Sequence, residues 1–201
     1  MVHSLSQWVY AVSRKTVTPM DSLNKTHLCL ISLLFICMQC EDPFDPADPI
    51  DIADNAFMDA LIEDGYDKDG DGIISYEEAE SVTSLFVFGG KNITSLKGIE
   101  AFINLESLHI CRTSIRRLHL PGLGNLTSLW CRDNELLSDL DFSECVSLTG
   151  IACENNALTS IDLSGNPELE SLYCFSNQIK ELDLSASSSL KRLSFSNKFA
   201  C

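Results

Sequence analysis

Apolar residues recur along the second half of the chain with one spacing. Leu105-x-x-Leu108-x-Ile110, Leu126-x-x-Leu129-x-Cys131, Leu148-x-x-Ile151-x-Cys153, Leu169-x-x-Leu172-x-Cys174 and Leu190-x-x-Leu193-x-Phe195 repeat the same phrase, and their first residues are 21, 22, 21 and 21 positions apart. Five residues after the second apolar position stands a polar one: Thr113, Asn134, Asn156 and Asn177. A second apolar trio closes each unit, as in Ile115, Leu118 and Leu120, or Leu158, Ile161 and Leu163, or Ile179, Leu182 and Leu184. The extra residue of the 22-residue unit falls at Leu136-Leu137, where a loop can absorb it.

This period and spacing are the signature of a leucine-rich repeat. Each unit supplies one short strand, is too poor in apolar surface to fold alone, and must stack on its neighbours. The asparagine's side-chain amide would satisfy turn backbone groups inside the coil. Val82 and Leu85 fit a first, irregular repeat. The expected fold is therefore a leucine-rich repeat solenoid over 82–201, with short parallel strands and an irregular convex side.

A different pattern precedes it. Phe57, Ala60 and Leu61 share one face of a helix expected over 54–64. The stretch Asp67-Lys-Asp69-Gly-Asp71-Gly72-Ile73-Ile74-Ser75-Tyr-Glu-Glu78 then meets every constrained position of an EF-hand loop. Asp67, Asp69 and Asp71 offer carboxylates, Ile73 a backbone carbonyl, Ser75 a water-bridged position and Glu78 a bidentate carboxylate. So many carboxylates in twelve residues need a cation, and an all-oxygen donor set without Cys or His suits Ca²⁺ rather than a soft metal. Ser75 and Glu78 also form a capping box for a short following helix. No second such loop occurs, so a small helix–calcium loop–helix cap over 54–81 is expected to close the N-terminal end of the ladder.

Before the cap, a polar stretch from Met20 leads into an apolar run from Leu28 to Met38, too short to span a bilayer and of signal-peptide length. Translation is expected to begin at Met20, with residues 1–19 an artefactual extension; a genuine cytoplasmic extension is the alternative. Cys40 ends the apolar run and resembles the lipobox cysteine of bacterial lipoproteins, which implies a signal peptide over 20–39 and lipidation of Cys40. Gln39 stands where such boxes carry a small residue, so ordinary cleavage nearby or an uncleaved anchor stays open. Proline at every third position from Asp42 to Pro49 suggests an extended acidic spacer over 40–53.

Charge sharpens the picture. The net charge is −15, and Glu41 to Glu80 alone hold 15 acidic residues against one basic, while Ser81 to Cys201 hold 13 and 10. No basic patch of useful size exists, which disfavours nucleic acid. Of the nine cysteines, Cys131, Cys153 and Cys174 fall in one inward column, where a thiol acts as a small hydrophobe.

Strand alternation turns two columns outward: Phe86, His109, Trp130, Ala152, Tyr173 and Ser194, and beside it Phe88, Cys111, Arg132, Glu154, Phe175 and Ser196. Exposed aromatics on a sheet suggest a binding surface, and Phe86, His109, Trp130, Arg132, Tyr173 and Phe175 are its candidate ligand contacts. The alternative is that they simply cover the sheet. His109 and Cys111, two apart on a strand, stand roughly 7 Å from each other, too far for a catalytic pair. No nucleophile-elbow, phosphate-loop or zinc-protease motif occurs, and no enzymatic activity is expected.

Together, Cys40, the loop 67–78 and the cysteine-bearing repeats, above all Leu148 to Ser164 and Leu169 to Ser185, resemble bacterial surface lipoproteins with leucine-rich repeats. The resemblance implies a module lipid-anchored at the cell envelope, on the outer-membrane surface of a Gram-negative bacterium, that binds a protein or glycan or mediates adhesion. Two other roles remain open: assembly through an uncapped last repeat, where Lys198 takes the asparagine position, and an accessory domain of a surface hydrolase.

Overall fold

In the computed structural model residues 45–89 and 92–196 are described. The expected extension, the signal peptide, Cys40 and Lys198 lie outside them.

The 21-residue phrase builds one short strand per unit. β1 (Ser84–Phe88), β2 (Ser107–Cys111), β4 (Ser128–Trp130), β6 (Gly150–Ala152), β7 (Ser171–Tyr173) and β8 (Arg192–Ser194) form a six-stranded sheet in the order β1-β2-β4-β6-β7-β8. Every pairing is parallel and equivalent repeat positions are in register, with Leu85, Leu108, Leu129, Ile151, Leu172 and Leu193 forming one row. This is a leucine-rich repeat solenoid. All of that row is buried except Leu193 on the last strand. Ile110, Cys131, Cys153 and Cys174 form a second buried row, and Phe195 at its end is exposed.

The asparagines work as a second ladder. Asn156 donates through Nδ2 to the carbonyls of Cys131 and Cys153, both at 2.8 Å, and accepts from Asn134 N–H at 2.8 Å. Asn134 and Asn177 bridge their own turn and the preceding one in the same way. Thr113 starts the series, donating its hydroxyl to Asn134 at 2.7 Å. The buried polar side chain thus pays for a coil interior whose backbone lacks regular partners.

The convex side is more regular than expected. β3 (Arg117–His119) and β5 (Asp139–Asp141) pair in parallel, because two successive units alternate buried and exposed residues at matching register there. The extra residue of the long unit sits where the spacing put it: Leu136 is exposed and Leu137 buried.

At the N-terminal end, α1 (Asn55–Glu63) buries Phe57, Ala60 and Leu61. Its N-cap Asp54 accepts from Phe57 N–H with one oxygen and, with the other, from Thr94 N–H at 2.8 Å, the Thr94 hydroxyl at 2.7 Å and Ser95 N–H at 3.1 Å. One carboxylate therefore starts the helix and fastens it to the first repeat. Partial burial works to raise the Asp54 carboxyl, but the hydrogen bonds from Thr94, Phe57 and Ser95 outweigh it and hold it below its ordinary value. The short α2 (Tyr76–Glu80) has both halves of its capping box.

Residues 45–52 are not the extended spacer that the prolines suggest. Ile50 N–H donates to Ile74 O, Tyr76 N–H to Asp48 O and Glu77 N–H to Pro46 O, and Pro49 bridges Ser75. Ile50 is buried and Ile52 partly so, which offsets the cost of ordering the segment. Both lie against Gly98 (φ +102°), where a Cβ would come within 2.7 Å of Ile52.

Candidate functional site

The loop after α1 is shaped by its own carboxylates. Asp67 accepts from the N–H groups of Gly70 and Gly72, Asp69 from Asp71 and Asp71 from Ile73. Gly70 and Gly72 take the left-handed conformations this winding requires (φ +77° and +87°). One oxygen from each of Asp67, Asp69 and Asp71 falls within 4.8 Å of the others. The nearby Lys68 ammonium donates to Gly65 O at 2.6 Å. Glu78 ties the two ends of the loop together, accepting from Lys68 N–H at 2.6 Å and from Ser75 N–H and hydroxyl, each at 2.9 Å. Burial works to raise this carboxyl, but the bonds from Ser75 and Lys68 hold it below its ordinary value. An all-oxygen donor set of this kind fits a hard divalent cation.

The outward face of the six-stranded sheet brings some of the expected contact residues together and leaves others apart. Parallel pairing puts Phe86, His109, Trp130, Ala152, Tyr173 and Ser194 in one row. Phe86 stacks on His109 at 4.6 Å between ring centroids, and His109 on Trp130 at 5.6 Å with the planes 4° apart. Phe88, not among the expected contacts, extends the stack at 6.0 Å from Phe86 and is the most exposed of these rings at 55%. Arg132 lies 5.9 Å from the Trp130 ring centre, within cation–π range. Ala152 then interrupts the row. Tyr173 and Phe175 are half-buried beyond it and share no ring contact with the stack.

Two serines orient the rings, and the hydrophobic pattern gave no sign of them. Trp130 Nε1–H donates to Ser128 Oγ at 2.6 Å, and His109 Nε2 lies 3.1 Å from Ser107 Oγ. Each serine precedes its ring by two positions, so it shares that face of the sheet. Burial, aided by Arg132, lowers the basicity of His109, so the stack carries a neutral imidazole near pH 7. Burial also raises the Cys111 thiol, which argues against a reactive nucleophile there.

No protein-family profile matches the chain, and no curated protein matches it. Solved structures do resemble it. The functional domain of InlJ from Listeria monocytogenes, described as including a cysteine ladder, matches 72% of this chain and 46% of that one at 22% identity, with a TM-score of 0.41. The internalin InlF of the same species matches 72% and 50% at 22% identity and TM-score 0.46. The internalin C2 matches 78% and 100% at 14% identity and TM-score 0.34. The chain thus spans half or less of the first two structures, and the likeness concerns fold alone.

Proposed function

We propose that the chain is a calcium-stabilised leucine-rich repeat module that recognises a protein through its concave face, carried at the bacterial cell envelope by a lipid on Cys40. The observation that supports it best is the stack of Phe88, Phe86, His109 and Trp130 beside Arg132, in which all but His109 are exposed. A solvated sheet gains nothing from such rings, whereas aromatic and arginine side chains are those that anchor protein interfaces.

Ring orientation favours a protein over a glycan. A sugar packs against an open aromatic face, and here the faces of Phe86, His109 and Trp130 are turned on one another. Ring edges and the Phe88 side chain remain for contact, which suits apolar side chains. Calcium at Asp67, Asp69, Asp71, the Ile73 carbonyl, Ser75 and Glu78 would offset part of the loop's negative charge and hold the cap that covers the first repeat. No catalytic role is assigned to any residue.

Protein and glycan arrays probed with the chain from Glu41 onward, in calcium, test this reading. Hits on proteins are expected, lost in Phe88→Ser and Trp130→Ala while the melting temperature stays put. Binding to glycans alone, or binding indifferent to both substitutions, would refute it. Isothermal titration with CaCl₂ tests the metal separately; absence of binding removes calcium from the proposal.

A further inference from the structure

β1 is the edge strand of the sheet, and an edge presents unpaired backbone groups. Its Ser84 carbonyl and Phe86 N–H are both met by one side chain from the cap. Tyr66 Oη donates to Ser84 O at 3.3 Å and accepts from Phe86 N–H at 3.2 Å. The hydroxyl stands in for a neighbouring strand, and it does so beside Phe86, which stacks on His109.

Tyr66 is bound to the loop as closely as the chain allows. Its own N–H donates to Leu61 O, anchoring it to the end of α1. Its carbonyl carbon is bonded to the nitrogen of Asp67, whose carboxylate holds both Gly70 and Gly72. A change in the loop's winding therefore reaches the tyrosine through a single peptide bond. The three aspartates crowd within 4.8 Å, and their repulsion opposes the closed loop until a cation offsets it.

We propose that Tyr66 is a positioning residue that couples the loop at Asp67–Glu78 to the concave face: binding of a divalent cation secures its hydroxyl on the β1 edge and so fixes Phe86 in the aromatic stack. The inference rests on the calcium reading above and adds a route from the metal to the docking surface. Linkage makes the effect reciprocal, so whatever calcium contributes to the Tyr66 contact, the contact returns to calcium affinity.

Amide hydrogen exchange on the chain from Glu41 onward, in CaCl₂ and in EGTA, tests the coupling without any ligand for the concave face. Calcium is expected to slow exchange at Phe86 by about tenfold, within the usual range for coupled sites. In Tyr66→Phe, which keeps the ring and loses the hydroxyl, that slowing disappears and calcium affinity measured by titration falls severalfold. The Cys131 amide, bonded to Ala152 O in the middle of the sheet, should be protected alike in both proteins and reports that the variant is folded. Calcium binding that leaves the Phe86 amide unchanged, or a Tyr66→Phe variant that keeps the full slowing, overturns the coupling and leaves the metal reading intact. Failure of the wild-type chain to bind calcium at all overturns both.

Discussion

Replacing Asn156 by leucine perturbs the interior of the solenoid with little change in volume, and its cost can be worked bond by bond. Asn156 makes three hydrogen bonds, to Cys131 O, to Cys153 O and from Asn134 N–H. The two carbonyls keep a partner each, because Asn134 also donates to Cys131 O and Asn177 to Cys153 O. Asn134 N–H keeps none and is buried. A stranded buried donor costs about 1–3 kcal/mol, and the loss of each carbonyl's second bond about 0.5–1.5. The sum is about 2–6 kcal/mol, a large part of the roughly 5–15 kcal/mol that holds a domain of this size. Urea unfolding followed by circular dichroism in calcium would measure it. Asn156→Asp should be worse at pH 7, since it keeps the acceptor but turns a carboxylate towards two carbonyls. Part of that loss should be recovered in acid as the new group is protonated. A leucine variant within about 1 kcal/mol of the natural chain would refute the idea that the asparagine ladder supports the coil.

Other outcomes follow from single contacts. Gly89→Ala places a Cβ 1.8 Å from Arg112 O and should destabilise by about 1–3 kcal/mol, as overpacking does. Arg112 itself is exposed and held at φ +56°, so Arg112→Gly should raise stability by about 0.5–1 kcal/mol, the strain relieved less glycine's entropy. Asp54, whose carboxyl is held below its ordinary 3.8 in the folded chain, contributes stability that is present above that value and lost as pH falls through the folded one. Asp54→Asn should therefore flatten the acid limb of a stability-versus-pH curve below about pH 4, and an unchanged limb would count against the Thr94 anchor. Iodoacetamide should leave Cys174 unmodified in the native chain, where burial raises its thiol to about 11, and label it on unfolding.

The repeats were legible because each buried row recurs at one period. Leu108, Leu129, Ile151 and Leu172 announce their strand, its inward face and its register by spacing alone. A single short phrase would have been ambiguous, and successive copies in register remove the ambiguity. The winding of the loop and the Ser75–Glu78 capping box were legible for a related reason: both are made by residues within twelve positions of one another, so local chemistry decides them. The asparagines' burial was expected too, but not that each would bridge two turns.

Tertiary structure decided whatever joins segments distant in sequence. Nothing in the spacing of Tyr66 points to Ser84 and Phe86, and the prolines of residues 45–49 gave no hint of a strand-like partner for Ile74. Nor could alternation alone say that Phe86, His109 and Trp130 would stack face to face while Tyr173 stood apart. Periodicity assigns a residue to a face; its rotamer, and the neighbour that meets it, depend on the finished packing. The amino-acid sequence thus determined a coil of parallel rungs with an acidic loop at its head. Only the folded chain settled how that loop touches the first rung, because those contacts exist once both ends of the cap are already in place.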